Sequence, residues 1–208
     1  MKIFVFKLAL FFLIPSLTLA AKGDKFRMYQ HSTSMEIITS NSYARDCFMS
    51  ASIAAKIFYS SSDEVDNCDF ALNFSTLTLK DRAATFTNRG IIYMAVGDYR
   101  SAIKDYQAAL RLKPDLGEIY VNIGNVYFMG KVFEKAIEEY SVAIEKETSQ
   151  MHVAYINRAM AYESMGDFDN AEIGYRTAIE LAPDYPLPQV RLELLLNKKQ
   201  AADNTSNT

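Results

Sequence analysis

Residues 84–114 read ATFTNRGIIYMAVGDYRSAIKDYQAALRLKP, and two later stretches of the chain align with them column by column. Residues 118–148 read EIYVNIGNVYFMGKVFEKAIEEYSVAIEKET, and residues 153–183 read VAYINRAMAYESMGDFDNAEIGYRTAIELAP. The three stretches begin 34 and 35 residues apart. Self-similarity at a fixed period of this size indicates a repeat architecture, so the rest of the chain is interpreted from these units outward.

Aromatic and small side chains occupy matching columns of the three units. In the first half of the first unit, Phe86, Gly90 and Tyr93 lie four and three residues apart, which places them on one helix face. Ala102, Tyr106 and Ala109 repeat this spacing in the second half. Each unit is therefore predicted to be a helix–turn–helix hairpin in which small residues allow close approach and aromatic residues fill the gaps. Such hairpins bury their apolar faces only by stacking on one another.

The turn between the two halves has the same place in each unit. Gly97-Asp98 and Gly166-Asp167 mark it in the first and third units, whereas Gly130-Lys131 mark it one residue early in the second.

With these columns filled, the chain resembles the tetratricopeptide repeat (TPR) family over residues 83–185, in units 83–116, 117–151 and 152–185. It departs from the family pattern at Lys131 and Ala159, where glycine is usual, and at Thr148, where the closing proline is usual. The resemblance implies an all-α TPR solenoid of three helix–turn–helix repeats.

The segments on either side of the repeats are interpreted as caps. Residues 186–200 are predicted to form a C-terminal capping helix that packs through Leu187, Val190 and Leu194, and residues 201–208 a disordered tail. Residues 21–82 are predicted to be a helical N-terminal segment, with a degenerate repeat as one interpretation. We assign no structure to residues 22–40.

The first twenty residues have the layout of a secretory signal peptide. Two lysines precede the apolar run 8–14, and small residues follow at a cleavage point after Ala20 or Ala21. We therefore expect an exported protein without stable membrane insertion after cleavage. The periplasm is the favoured location, with secretion and a signal anchor as alternatives. An oxidising compartment favours a disulfide between Cys47 and Cys68, the only two cysteines, over two buried free thiols.

Composition and motifs argue against several classes of function. The formal net charge of −3 argues against an electrostatic nucleic-acid binder. His31 and His152 lack partners at metal-ligand spacing, and the chain has no glycine-rich phosphate loop or serine-nucleophile motif. A redox role for the cysteines is disfavoured because 20 residues separate them. We expect no enzyme activity, no metal and no cofactor.

The TPR resemblance implies a concave groove lined by the first helix of each unit, where a peptide or helix binds. The residues predicted to line this groove are Asn88, Ile91, Asn122, Asn125, Phe128, Met129, Ile156, Asn157 and Met160. Some TPR domains clamp a C-terminal carboxylate with Lys and Arg. The corresponding positions here hold uncharged residues: Thr87, Ile91, Val121 and Val153. The groove therefore favours an amphipathic helix or an apolar extended segment, with asparagine amides bonding its backbone. In the alternative interpretation, the asparagine column merely matches the family's commonest residue at that position and binds nothing. Its three members are Asn88, Asn122 and Asn157.

The sequence thus predicts an exported TPR adaptor that binds another protein or peptide, whose identity the residues do not specify. A structural subunit of a cell-envelope assembly, held by its convex or end faces, is the alternative. The sequence is also compatible with a homo-oligomer.

Overall fold

The computed structural model describes residues 42–57 and 62–206, and every regular element in them is a helix. The predicted signal peptide, residues 22–41 and the last two residues of the tail lie outside the described residues. The helices are α1 (Ser42–Ile57), a 3₁₀ turn (Ser62–Val65), α2 (Asp66–Phe74), α3 (Leu79–Val96), α4 (Tyr99–Leu112), α5 (Gly117–Met129), α6 (Phe133–Glu145), α7 (Met151–Met165), α8 (Phe168–Leu181) and α9 (Pro186–Ser206). Among the described helices, none combines the length and apolar character that a bilayer-spanning helix needs.

Three helix pairs, α3/α4, α5/α6 and α7/α8, form successive hairpins, which confirms the all-α TPR solenoid. In the first two hairpins the close approach of the helices depends on glycine facing tyrosine. A Cβ atom on Gly90 would lie 2.6 Å from Tyr106 Cε1, and one on Gly124 would lie 2.5 Å from Tyr140 Cε1. Both tyrosines are fully buried. The small and aromatic columns of the sequence are therefore the contact between the two helices of a hairpin.

The third hairpin moves its small residue to the opposite helix. Ala159 stands where the other units have glycine, and Gly174 faces it from α8. A Cβ atom on Gly174 would lie 2.8 Å from the Cβ of Ala159. The first two units carry Asp105 and Glu139 at the place of Gly174. The departure at Ala159 is therefore accommodated within its own hairpin.

The turn of the second hairpin has a different chemistry from the other two. Gly97 and Gly166 end α3 and α7 in the left-handed region, at φ of 89° and 82°. At the equivalent place Lys131 adopts φ 60°, whereas Gly130 has a right-handed φ of −74°. The turn lies at Gly130 and Lys131, as the sequence predicts, and its left-handed residue is Lys131, which stands where the TPR pattern usually has glycine. A side chain at positive φ strains this turn.

The N-terminal cap, α1 and α2, is joined by the predicted disulfide between Cys47 and Cys68, whose Cα atoms lie 4.8 Å apart. Both cysteines are fully buried. Arg89 of α3 connects this cap to the first hairpin, since its guanidinium donates to Asp69 of α2 and to Asp105 of α4. Burial disfavours the charged guanidinium, but the two carboxylates outweigh it and raise the pKa of Arg89.

The C-terminal helix α9 covers the last hairpin with a face that the sequence did not predict correctly. Leu187 and Leu195 are buried, whereas Val190 and Leu194 are 43 % and 51 % exposed. Leu187 and Leu195, which are eight residues apart, therefore both pack on the hairpin, because about two helical turns bring a residue back near the same side.

The same helix runs to Ser206 instead of ending at Gln200, so the expected disordered tail is wrong for residues 201–206. Alanine at 201 and 202 continues the helix, since alanine has the highest helix propensity. Lys199 Nζ lies 2.7 Å from Asp169 Oδ1 and 2.9 Å from Glu172 Oε2, and these ion pairs connect α9 to α8.

Candidate functional site

The predicted groove residues lie on α3, α5 and α7, the first helices of the three hairpins. Seven of the nine are no more than 5 % exposed, while Phe128 and Met129 are half-buried. The seven enclosed residues are Asn88, Ile91, Asn122, Asn125, Ile156, Asn157 and Met160. The predicted binding residues are therefore closed off from solvent in this structure, which the sequence did not indicate.

Asn125 joins three helices. Its Oδ1 accepts hydrogen bonds from Tyr140 Oη on α6, at 2.8 Å, and from Asn157 Nδ2 on α7, at 3.0 Å. A buried amide that holds α5, α6 and α7 together has a structural task whether or not a ligand binds. The structure thus gives Asn125 and Asn157 a packing contact, and of these two only Asn157 belongs to the asparagine column that the alternative interpretation leaves without a ligand.

Three amide atoms on this side remain without a hydrogen-bond partner among the described residues. They are Asn88 Nδ2, Asn122 Oδ1 and Asn125 Nδ2. An unsatisfied buried polar atom costs about 1–3 kcal/mol, which a bonding partner would recover. Two donors and one acceptor spread over α3 and α5 match the acceptors and donors of a peptide backbone. Whether a peptide reaches them stays a prediction.

The charged groups beside the predicted groove are carboxylates with partners inside the chain. Glu118 accepts from the backbone N–H of Ser149 at 2.9 Å, and Glu163 accepts from Tyr175 Oη and Lys198 Nζ. Burial favours the protonated acids, but these hydrogen bonds outweigh it and lower the pKa of both carboxyl groups. Both carboxylates are thus already hydrogen-bonded within the chain.

A second exposed surface lies on the N-terminal cap. The rings of Tyr43 and Phe70 are 5.4 Å apart, and those of Phe70 and Phe74 are 5.9 Å apart. Phe74 is 77 % exposed and the neighbouring Leu79 is 66 % exposed. We call Tyr43, Phe70 and Phe74 the aromatic end patch. Clustered exposed aromatic rings are a common property of protein contact surfaces, and no sequence period pointed to this one.

The described residues contain no group of three His, Cys, Asp or Glu side chains that could hold a metal ion. His152 packs edge-on against Tyr185, with ring centroids 5.5 Å apart, and burial lowers the pKa of its imidazole. His31 lies outside the described residues.

Comparison with known proteins agrees with this architecture. A TPR repeat family model matches residues 90–130, and a tetratricopeptide repeat model matches residues 152–185. The human tetratricopeptide repeat protein 6 is 34 % identical over 86 residues, or 41 % of this chain and 16 % of that protein. The chain thus spans less than a fifth of the length of this relative.

Two solved structures share the fold. The first TPR domain of Spaghetti (RPAP3), bound to the HSP90 peptide SRMEEVD, is 22 % identical and has a TM-score of 0.53. The match covers 57 % of this chain and 93 % of that one. MamA is 19 % identical with a TM-score of 0.60, over 82 % of this chain and 91 % of that one.

Proposed function

Because this chain is a tetratricopeptide-repeat protein, we propose that it is a protein-interaction adaptor that receives a peptide on the face formed by α3, α5 and α7. The observation that carries the proposal is the side-by-side arrangement of these three helices, with apolar side chains and unpartnered amide atoms on one side. Repeat arrays use such concave faces for binding. The human and MamA likenesses support the fold on which this face depends.

The chemistry of the face selects an apolar or amphipathic ligand. Thr87, Ile91 and Val121 offer no cation for a terminal carboxylate, which separates this face from one suited to an acidic tail. The RPAP3 structure holds the peptide SRMEEVD, which carries acidic residues, so a different peptide class is proposed here. Ile91, Ile156 and Met160 would bury apolar side chains, and the asparagine amides would bond the backbone. Phe128 and Met129, the half-buried members, are the first residues that a partner meets.

We also propose that the adaptor works after export, with the periplasm favoured. Two observations support this: the signal-like N-terminus and the Cys47–Cys68 disulfide, since disulfides persist in oxidising compartments. N-terminal sequencing of the protein recovered from cell fractions tests it. The expected result is a soluble extracytoplasmic protein that begins at Ala21 or Lys22. A full-length cytoplasmic protein would refute it.

A photo-cross-linking experiment in cells tests the adaptor proposal. Phe128 on the groove and Phe74 on the aromatic end patch are each replaced by a photo-reactive phenylalanine, so that two positions of one residue type are compared. The expected result is a discrete adduct with another protein from position 128 that position 74 does not give. Adducts from position 74 alone would move the interaction to the end of the array.

That second outcome defines the other candidate function, a structural subunit of a larger assembly. The exposed aromatic end patch favours it, because Phe70 and Phe74 leave apolar area open at one end of the solenoid. It would be supported by stoichiometric co-purification with a large complex that Phe74→Ser abolishes and Met129→Lys does not.

A further inference from the structure

Helix α1 of the N-terminal cap carries an exposed stripe of four side chains. They are spaced three, four and three residues apart, so on a helix they fall within about 80° of one another. The four are Asp46, Met49, Ile53 and Lys56, and all of them are exposed. We call them the α1 stripe. Its centre is apolar, with Met49 52 % and Ile53 48 % exposed, and its two ends carry opposite charges.

The other side of α1 is the one that packs on the rest of the chain. Ala44, Cys47, Ala51 and Ala54 are fully buried, and Cys47 is bonded to Cys68 of α2. The α1 stripe is therefore directed away from the helices that α1 contacts. The terminal unit of a repeat array normally presents a polar outer face, and the two apolar residues at the centre of the stripe depart from that rule.

The order of side chains along the stripe is complementary to itself. Met49 lies two residues before position 51 and Ile53 two residues after it, while Asp46 lies five before and Lys56 five after. Consider two copies of α1 paired antiparallel about a two-fold axis at the level of position 51. Met49 then meets the second copy's Ile53, and Asp46 meets the second copy's Lys56. The symmetry makes each of these contacts twice.

Both charged members of the stripe are free to form such a pair. No hydrogen bond or ion pair joins the side chain of Asp46 or Lys56 to another side chain in the described part of the chain. Exposed opposite charges contribute little affinity by themselves, but they fix the register of a contact and suppress wrong pairings. The apolar pair would supply the contact, and the charges would select the antiparallel register.

We propose that the α1 stripe is the surface through which two copies of this chain form a symmetric dimer. The stripe is about 15 Å long, and antiparallel helices that cross at about 20° stay in contact over such a length. The aromatic end patch lies beside one end of the stripe, since Tyr43 is in the first turn of α1 and contacts Phe70 of α2. Its rings add apolar area toward the roughly 1,200 Å² that a specific interface buries.

The dimer contact is separate from the groove. The stripe lies on α1, whereas the proposed peptide site is on α3, α5 and α7, so this inference does not rest on the proposed function. With both in place, one dimer carries two peptide sites. A partner with two binding segments is then held more tightly than either segment alone, because the second binding step is intramolecular.

Charge reversal at the two ends of the stripe tests the two-fold register. Analytical ultracentrifugation of the purified protein over a wide range of concentration should show a monomer–dimer equilibrium. Asp46→Lys places lysine opposite lysine at both ends, and Lys56→Asp places aspartate opposite aspartate. Each variant alone should therefore raise the dissociation constant of the dimer at least about tenfold. An equimolar mixture of the two variants should restore the dimer, because every charged contact then joins a lysine to an aspartate.

The apolar centre is tested by Ile53→Asp, which should also raise the dissociation constant at least about tenfold. Ile173→Asp is the matched control, since Ile173 is 61 % exposed on α8. Lys104→Asp, at an exposed lysine of α4, is the matched control for charge reversal. Both controls should dimerise like the wild type. Circular dichroism checks that each variant keeps its helices, and Ile53→Ser replaces Ile53→Asp if the aspartate unfolds the protein.

Three results would overturn the proposal. The first is a monomer at every concentration, and the second is an association that Ile53→Asp and both charge reversals leave unchanged. The third is a pair of weakened variants whose mixture stays monomeric, because the contact then lacks the two-fold register. The groove residues are unaltered in all of these variants, so failure of the dimer leaves the cross-linking test at position 128 unaffected. A dimer without any adduct at position 128 would keep this inference and refute the adaptor.

Discussion

The repeat array and the N-terminal cap are stabilised in different ways. In the array, the contact of Gly90 with Tyr106 recurs as that of Gly124 with Tyr140, and the third hairpin keeps the close approach through Gly174 and Ala159. In the cap, α1 and α2 are held by a covalent bond, and Arg89 ties α2 to the array. Periodic packing extends only where a periodic neighbour exists. The end of an array therefore needs individual, non-repeating bonds.

The connection between the two regions should show the largest effect. Arg89→Met removes the cation that pairs with Asp105, whose side chain is only 4 % exposed. Leaving a buried charge without its partner costs about 3–5 kcal/mol. Chemical denaturation should show a loss of this size in the free energy of unfolding. The control Asp69→Asn removes only the cap-side carboxylate, which is 44 % exposed, and should cost about 1 kcal/mol or less. Equal losses for the two variants would contradict this account of the connection.

Removing the disulfide should affect the cap more than the array. Cys47→Ala/Cys68→Ala releases the loop of the unfolded chain that the bond closes, which is worth about 3 kcal/mol. Hydrogen exchange should show that amides of α1 and α2 lose protection first. Amides of α5 to α8 should keep theirs. A uniform loss across all helices would show that cap and array unfold as one unit.

The packing of the array is tested by adding one methyl group. Gly124→Ala places a Cβ atom 2.5 Å from Tyr140, and overpacking of this kind costs about 1–3 kcal/mol. Gly130→Ala is the matched control, since its nearest contact would be 3.4 Å and its φ is ordinary. Thermal unfolding should separate the two variants clearly. A Gly124→Ala protein as stable as the control would remove close helix approach from the explanation of the array.

The smallest effect is a stabilisation of the second turn. Asp98 and Asp167 cap α4 and α8 by accepting from backbone N–H groups, whereas Val132 supplies no such bond to α6. Lys131→Gly/Val132→Asp restores the chemistry of the other two turns and should raise the free energy of unfolding by about 1–2 kcal/mol. A neutral or negative change would show that the two residues have another task, such as contact with a partner.

Local spacing predicted the periodic part of the molecule. Residues such as Phe86, Gly90 and Tyr93 recur at intervals that specify one helix face, so the hairpins and their contacts follow from the sequence. The pairing of Cys47 with Cys68 was predicted from the cysteine count and the expected export, and the structure contains it.

Contacts between distant residues were not predictable in this way. Arg89 meets a carboxylate from the cap and another from α4, and Asn125 meets Asn157 across a hairpin boundary. The prediction of which side of α9 packs on the array was also wrong, because several leucines close together allow more than one apolar face. The burial of seven of the nine predicted groove residues was not predicted either, because no period in the repeats specifies it.

The central claim is that the face of α3, α5 and α7 binds a peptide. Selection of a displayed peptide library on the folded protein tests it most directly, followed by affinities for Met129→Lys and for Met165→Lys. Met165 is exposed and is the last residue of α7, so Met165→Lys makes the same change at an exposed site. The account predicts apolar or amphipathic peptides whose binding falls about tenfold with Met129→Lys, near 1.4 kcal/mol, and is unchanged with Met165→Lys. Peptides that depend on an acidic C-terminus, or that bind both variants like the wild type, would contradict it.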